Sequence, residues 1–102
     1  MRIAYFYLMN GEPDRIRAVA PEHARYWRHL DLPGYLGGPT ADRSAGLITF
    51  EAGSVEEAER LVQDDPFVRS GLLDGAWLKE WLPSGSAMER DLRTAGSGSL
   101  GR

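Results

Sequence analysis

Two polar side chains in this sequence could together move a proton: His23 and Asp65. Histidine changes its charge near neutral pH, which suits it to act as a general base or a general acid. A carboxylate that accepts the ring N–H of a histidine fixes its tautomer and stabilises the cation that forms when a proton is taken up. If the fold brings the two together, they form a candidate catalytic pair.

The setting of His23 is a predicted helix over residues 21–31. Residues 14–20 could begin helically, but Pro21 is expected to interrupt them and to be the first residue of the main helix. Leu32-Pro33-Gly34 ends this helix. The inward-facing stripe has the spacing i, i+3, i+4 and i+7, and it consists of His23, Tyr26, Trp27 and Leu30. His23 is then expected in the first turn, where the helix dipole favours a neutral imidazole. The alternative is a partly buried histidine that is bonded to backbone.

Asp65 stands in the segment QDDPFVRSG, residues 63–71, where a helical stretch ends. An Asp followed by Pro is a good helix cap followed by a good first helical residue, so residues 65–68 could simply begin a single turn. In that interpretation Phe67 is a hydrophobic plug and Asp64 an exposed acid. Capping and pairing with His23 do not exclude each other.

The hydrophobic pattern predicts an α+β domain with the order β-α-β-β-α-β. The predicted strands are residues 2–9, about 35–36, 46–52 and 76–82, and the second helix is residues 55–63. Ser54 and Glu57 form a capping box at the start of that helix. This order predicts a ferredoxin-like fold: a four-stranded antiparallel sheet with two helices on one face. The other face would expose the first strand with Trp77 and Trp81, and we therefore expect a homodimer that stacks two sheets.

The composition is that of an ordinary single globular domain. The chain has 102 residues, is 42% hydrophobic and 26% charged, and has a net charge of −3 with no basic cluster, which argues against a nucleic-acid partner. It has no cysteine, and its N-terminal apolar run is too short to span a membrane, so a cytoplasmic location is expected. No constellation predicts a metal or cofactor. The domain is predicted over 1–83, followed by a flexible Gly/Ser-rich tail over 84–102 with at most a short helix around 86–94.

Taken together, the segments APEHARYWRHL, GYLGGPT, AGLITFEAGSVEEAERLVQDDPFVRSGLL and WLKEWLP resemble the YciI-like proteins, also called the YCII-related domain. The resemblance covers residues 1–83. Its most specific elements are His23, the pair Gly38-Pro39, the helix opening at Ser54, and Asp65-Pro66-Phe67. The sequence has no second inward histidine, since His29 is predicted to face away from His23.

The resemblance implies a ferredoxin-like fold that dimerises as an α+β barrel, with a His–Asp pair in a cleft that transfers onto His23 and Asp65. Gly38 and Pro39 would line that cleft. A few relatives are linked to the degradation of aromatic compounds, including dehydrochlorination, and the wider superfamily holds muconolactone isomerases and small monooxygenases.

The favoured function is cofactor-independent acid–base chemistry, an elimination or isomerisation, on a small carboxylated or aromatic molecule. Phe67 is a candidate aromatic contact to this ligand. Tyr5, Tyr7, Tyr26 and Trp27 could also line its pocket, although aromatic stripes at these spacings are more often core. Arg15 or Arg17 is the candidate clamp for its carboxylate. Two alternatives stay open: a non-catalytic module that binds a small molecule, and a small monooxygenase.

Overall fold

The computed structural model describes residues 1–85, so the predicted tail helix around residues 86–94 lies outside the described residues. The domain boundary at residue 83 stays a prediction. The elements are β1 (Arg2–Met9), α1 (Pro13–His29), β2 (Leu36–Pro39), β3 (Ala45–Glu51), α2 (Val55–Gln63), α3 (Pro66–Arg69) and β4 (Leu73–Glu80). The predicted order is confirmed, with the single turn α3 added before the last strand.

The strands form one antiparallel sheet in the order β2-β3-β1-β4. One face of this sheet carries the core residues of β1 and β3, and the helices cover it through Trp27 of α1 and Ala58 of α2. The buried strand residues are Ile3, Tyr5, Tyr7, Ile48 and Phe50. Full burial of each large side chain contributes about 1.5–3 kcal/mol, so this face supplies most of the stabilisation. The predicted ferredoxin-like fold is thereby confirmed.

The prediction that the first helix begins at Pro21 was wrong. α1 begins at Pro13 and runs through Pro21, which lies inside the helix. An internal proline costs about 3 kcal/mol or more, because it lacks an N–H and its ring crowds the preceding turn. The helix nevertheless continues, because Ile16 and Val19 pack against the core on one side of Pro21 and Trp27 is fully buried on the other. His23 therefore lies in the middle of α1, and the expected effect of a helix N-terminus on its charge does not apply.

The helix α2 has the predicted bounds and the predicted cap. The Ser54 hydroxyl accepts the Glu57 N–H at 3.1 Å. The Glu57 carboxylate accepts the N–H of Gly53 at 2.9 Å, one residue earlier than a standard capping box would place that contact. One unpaired N–H of the first turn and the N–H of the residue before the cap are satisfied in this way.

The second and last strands differ from their predicted positions. β2 includes Gly37, Gly38 and Pro39, which were expected to follow the strand, and β4 begins at Leu73 and not at Ala76. Backbone pairing along β3 and β1 fixes these limits, and pairing requires no apolar side chain. The hydrophobic pattern therefore could not reveal them.

Candidate active site

The turn after α2 places Asp65 at the start of α3. Its Oδ1 accepts the backbone N–H of Phe67 at 2.8 Å, so Asp65 is the predicted helix cap. The side chain is fully buried. Burying a carboxylate costs free energy unless hydrogen bonds satisfy its oxygens. Two further side chains in the core donate to Asp65.

Both further donors come from α1. The Nδ1 atom of His23 lies 2.8 Å from Oδ1 of Asp65, and the indole Nε1–H of Trp27 donates to Oδ2 at 2.9 Å. An ionised carboxylate can only accept, so the contact requires the proton to sit on Nδ1. The neutral ring then carries its lone pair on Nε2. Asp65 thus caps α3 and also contacts His23.

Tyr7 of β1 lies at the other ring nitrogen. Its hydroxyl is 3.2 Å from Nε2 of His23. Burial, and secondly the charge of Asp65, raises the pKa of Tyr7 above its ordinary value. The phenol therefore stays protonated at neutral pH and can donate to the Nε2 lone pair. Asp65, His23 and Tyr7 form a continuous hydrogen-bonded chain.

Phe67 fixes the plane of the imidazole. Its ring stacks on that of His23 with centroids 4.1 Å apart and an interplanar angle of 18°. The Tyr7 ring meets the imidazole edge-on, at 5.6 Å and 69°. With its side chain only 12% exposed, His23 is held by Asp65, Phe67 and Tyr7. Such fixed orientation is what a proton-transfer group requires.

Space for the Tyr7 ring comes from a glycine on the neighbouring strand. Tyr7 pairs with Gly46 across β1 and β3, and a Cβ at Gly46 would overlap the Tyr7 ring and hydroxyl. Sequence reasoning assigned no role to Gly46, and it considered Tyr7 only as a candidate pocket-lining residue, without the contact to His23. The signal for them was indirect: an inward tyrosine on β1 and a glycine at the start of a predicted strand.

A cavity of about 390 Å³ opens beside His23. This volume lies within the range of about 300–1,000 Å³ that is typical of small-molecule sites. Its wall on α1 is a stripe at i, i+4, i+8 and i+12, formed by Ile16, Ala20, Ala24 and Arg28. The two alanines leave the space, because larger side chains there would fill it.

Three of the predicted ligand-binding residues border this cavity, and two do not. Phe67, Gly38 and Pro39 are among its lining residues. Tyr5 is fully buried in the core, where its ring lies 5.3 Å from that of Tyr7. Arg15 pairs with Glu12 at 3.0 Å and donates to the backbone oxygen of Ser70 at 2.8 Å. The arginines that border the cavity are instead Arg28 and Arg43.

Residues 1–85 hold neither a cluster of metal ligands nor a helix that could span a membrane. No three His, Asp or Glu side chains in this part of the chain are grouped so that they could hold a metal ion. His29 is exposed, and its Nδ1–H donates to the backbone oxygen of Arg25 at 3.0 Å, away from His23. Within the same residues, no helix has the length and apolar character needed to cross a bilayer.

Comparison with solved structures identifies a protein of the same fold. It is the 5-chloro-2-hydroxyhydroquinone dehydrochlorinase TftG from Burkholderia phenoliruptrix AC1100, solved in complex with 2,5-dihydroxybenzoquinone. The TM-score is 0.73, the identity is 22%, and the match covers 80% of this chain and 94% of that one. At this identity the likeness establishes the fold. No protein of curated function matches the sequence significantly.

Comparison with family models gives a match to the YCII-related domain over residues 3–82. This range includes every described helix and strand except the first residue of β1. It also contains the whole Asp65–His23–Tyr7 chain. The protein therefore belongs to the YCII-related domain family.

Proposed function

We propose that this protein catalyses a cofactor-independent elimination or isomerisation on a small aromatic or carboxylated molecule. His23 is the proton-transfer group, and Asp65 holds its tautomer. The observation that carries the proposal is the direction of the hydrogen bonds that link Tyr7, His23 and Asp65. The buried carboxylate of Asp65 accepts the Nδ1–H of His23, so the lone pair of Nε2 lies beside the Tyr7 hydroxyl, and both His23 and Tyr7 line the cavity.

In the proposed reaction, Nε2 of His23 accepts a proton from a C–H or O–H group of the ligand, either directly or through the Tyr7 hydroxyl. The electron pair of the broken bond forms a new π bond. In an elimination, a leaving group such as chloride departs from the neighbouring carbon and takes its bonding electrons with it. In an isomerisation, the imidazolium returns the proton at another carbon. General acid–base catalysis of this kind is worth about 10²–10⁴-fold in rate.

The same-fold neighbour supports an elimination, because it is a dehydrochlorinase of a chlorinated hydroquinone. We therefore choose chlorinated hydroxyhydroquinones as the first substrates to test. Chloride release would be measured for the wild type, for His23→Gln and for His29→Gln. The expected result is release by the wild type and by H29Q, and a loss of about 10²-fold or more in H23Q.

An equal rate in H23Q and the wild type would exclude His23 as the catalyst. A second outcome is binding of the ligand in the cavity without turnover of any chlorinated or isomerisable ring. That outcome would support the alternative of a non-catalytic binding module. Turnover that requires oxygen and persists in H23Q would indicate the monooxygenase alternative.

We also propose that the protein is a homodimer that buries the sheet face opposite the helices. On this face Phe6 pairs with Leu47 on one side and with Trp77 on the other, and the three are 38%, 45% and 49% exposed. A continuous row of large apolar side chains is typical of an interface. Sedimentation should give twice the mass of one chain, and Leu47→Ser with Trp77→Ser should give the mass of one. A wild type that sediments as a monomer would contradict the dimer.

A further inference from the structure

Within residues 1–85, the charged residues that line the cavity are of one sign. Arg28 and Arg43 are lining residues, and no Asp or Glu of this part of the chain is. Asp65 lies behind the imidazole, fully buried, with both oxygens engaged by donors. Among the described residues, a ligand in the cavity therefore meets two guanidinium cations and no exposed carboxylate. A cleft lined by one sign of charge concentrates ligands of the opposite sign.

Neither arginine is neutralised within residues 1–85. Four other arginines of this part of the chain form ion pairs with acids, but Arg28 and Arg43 form none. Arg28 ends the alanine stripe of α1, and the tilt of helical side chains toward the N-terminus directs it back over Ala24. Its charge also acts on Tyr35, another lining residue, where it opposes the rise in pKa that burial causes.

Arg43, the second arginine that lines the cavity, lies in a tightly bonded turn. Oδ1 of Asp42 accepts hydrogen bonds from the Thr40 hydroxyl at 2.8 Å and from the Ser44 hydroxyl at 2.7 Å. Arg43 itself has a φ of 66°, and its N–H donates to the Thr40 oxygen at 2.9 Å. The left-handed conformation is unfavourable for a residue with a Cβ, so the turn holds Arg43 in a geometry that it would not adopt alone.

We infer that the cavity selects a planar ring that carries an anionic oxygen group, which Arg28 and Arg43 bind at the mouth while the ring extends toward His23. This inference rests on the proposed function only where it concerns the reaction at His23. Its statement about anion binding does not, because binding requires no turnover. The apolar walls suit the ring, since Ile16, Ile48 and Phe67 line the interior. Guanidinium groups bind carboxylates and phenolates through charge-assisted hydrogen bonds.

The test compares benzoate with benzamide, which has the same shape and no charge. Binding would be measured by calorimetry and by NMR shifts of the His23 and Tyr7 rings. We expect benzoate to bind at least about fivefold more tightly than benzamide, and high salt to reduce that preference. Arg28→Gln and Arg43→Gln should each weaken benzoate binding by about three- to tenfold and leave benzamide unchanged.

Arg25→Gln is the matched control, because Arg25 is exposed on the same helix and does not line the cavity. It removes one positive charge as R28Q does, and it should leave both affinities unchanged. Ala24→Leu fills the cavity and should abolish binding of both probes.

Three outcomes would overturn the inference: no binding of benzoate, equal binding of the two probes, or equal effects of R25Q and R28Q. None of these outcomes depends on turnover. The inference can therefore fail while the effect of H23Q on chloride release upholds the proposed reaction, and the reverse can also occur.

Discussion

His23 and Phe67 stack at 4.1 Å, and the same oxygen of Asp65 binds both the imidazole and the Phe67 backbone N–H. The cap that begins α3 therefore also sets the position of the ring that covers His23. Local folding of residues 65–69 and the geometry of the site are coupled through one carboxylate. Changes at Asp65 should alter the stability of the fold and the state of His23 together.

Asp65→Asn tests that coupling. The amide has only one acceptor oxygen, so one of the three donors from His23, Trp27 and Phe67 must face an NH₂ group. We expect the free energy of unfolding to fall by about 1–3 kcal/mol, the cost of a buried unsatisfied group. The ¹⁵N shifts of the imidazole should show loss of the uniform Nδ1–H tautomer. Identical imidazole shifts in D65N and the wild type would contradict the pairing.

Tyr7→Phe removes the donor at Nε2 and keeps the ring that packs in the core. We expect Nε2 of His23 to become accessible, so that diethyl pyrocarbonate modifies His23 faster than in the wild type. His29 is exposed and serves as the internal control, because its rate should not change. The unfolding free energy should change by no more than about 1.5 kcal/mol, which is typical for one hydrogen bond. An unchanged His23 rate would show that Tyr7 does not shield the base.

Gly46→Ala should displace Tyr7, because the added methyl group would overlap the Tyr7 ring. Forcing an extra methyl group into a packed core typically costs about 1–3 kcal/mol, and we expect a loss of stability in this range. Gly38→Ala is the matched control for stability, because a Cβ there meets no atom within 4 Å. Both variants would be measured by urea unfolding. Equal losses in the two variants would exclude the steric explanation.

Asp42→Asn should reveal the acid sensitivity of the turn that holds Arg43. Hydrogen bonds from Ser44 and Thr40 lower the pKa of Asp42 from 3.8 to about 2. The folded state thus favours the ionised form, and its contribution to stability is present above the ordinary pKa. That contribution is lost as the pH falls from 3.8 toward about 2.

The wild type should therefore be more stable than D42N at neutral pH, and the difference should disappear as the pH falls below about 2. Thermal unfolding at a series of pH values measures this difference. The effect should be small, because Asp42 is exposed and solvent screens its charge. A difference that does not depend on pH would rule out ionisation of Asp42 as the cause.

The local patterns were sufficient for much of the fold. Alternating apolar residues predicted β1 and most of β3, and Ser54 with Glu57 located α2 to the residue. These features depend on neighbours within a few positions of the chain. The start of α1 was missed for the opposite reason. The cost in free energy of a proline at position 21 can be read from the local sequence. The packing of Ile16, Val19 and Trp27 that outweighs this cost depends on residues distant in the chain.

By itself, the sequence determined the order of the elements, the family and the two residues worth pairing, because each depends on residue types at fixed spacing. Only the tertiary structure decided what His23 meets. Asp65 lies 42 positions further along the chain and Tyr7 lies 16 positions before it, and the packing of α1 on the sheet brings both to one imidazole. The same packing left Arg15 outside the cavity and brought Arg28 and Arg43 to it, because side-chain direction depends on the helix bounds and the turn geometry that packing fixes.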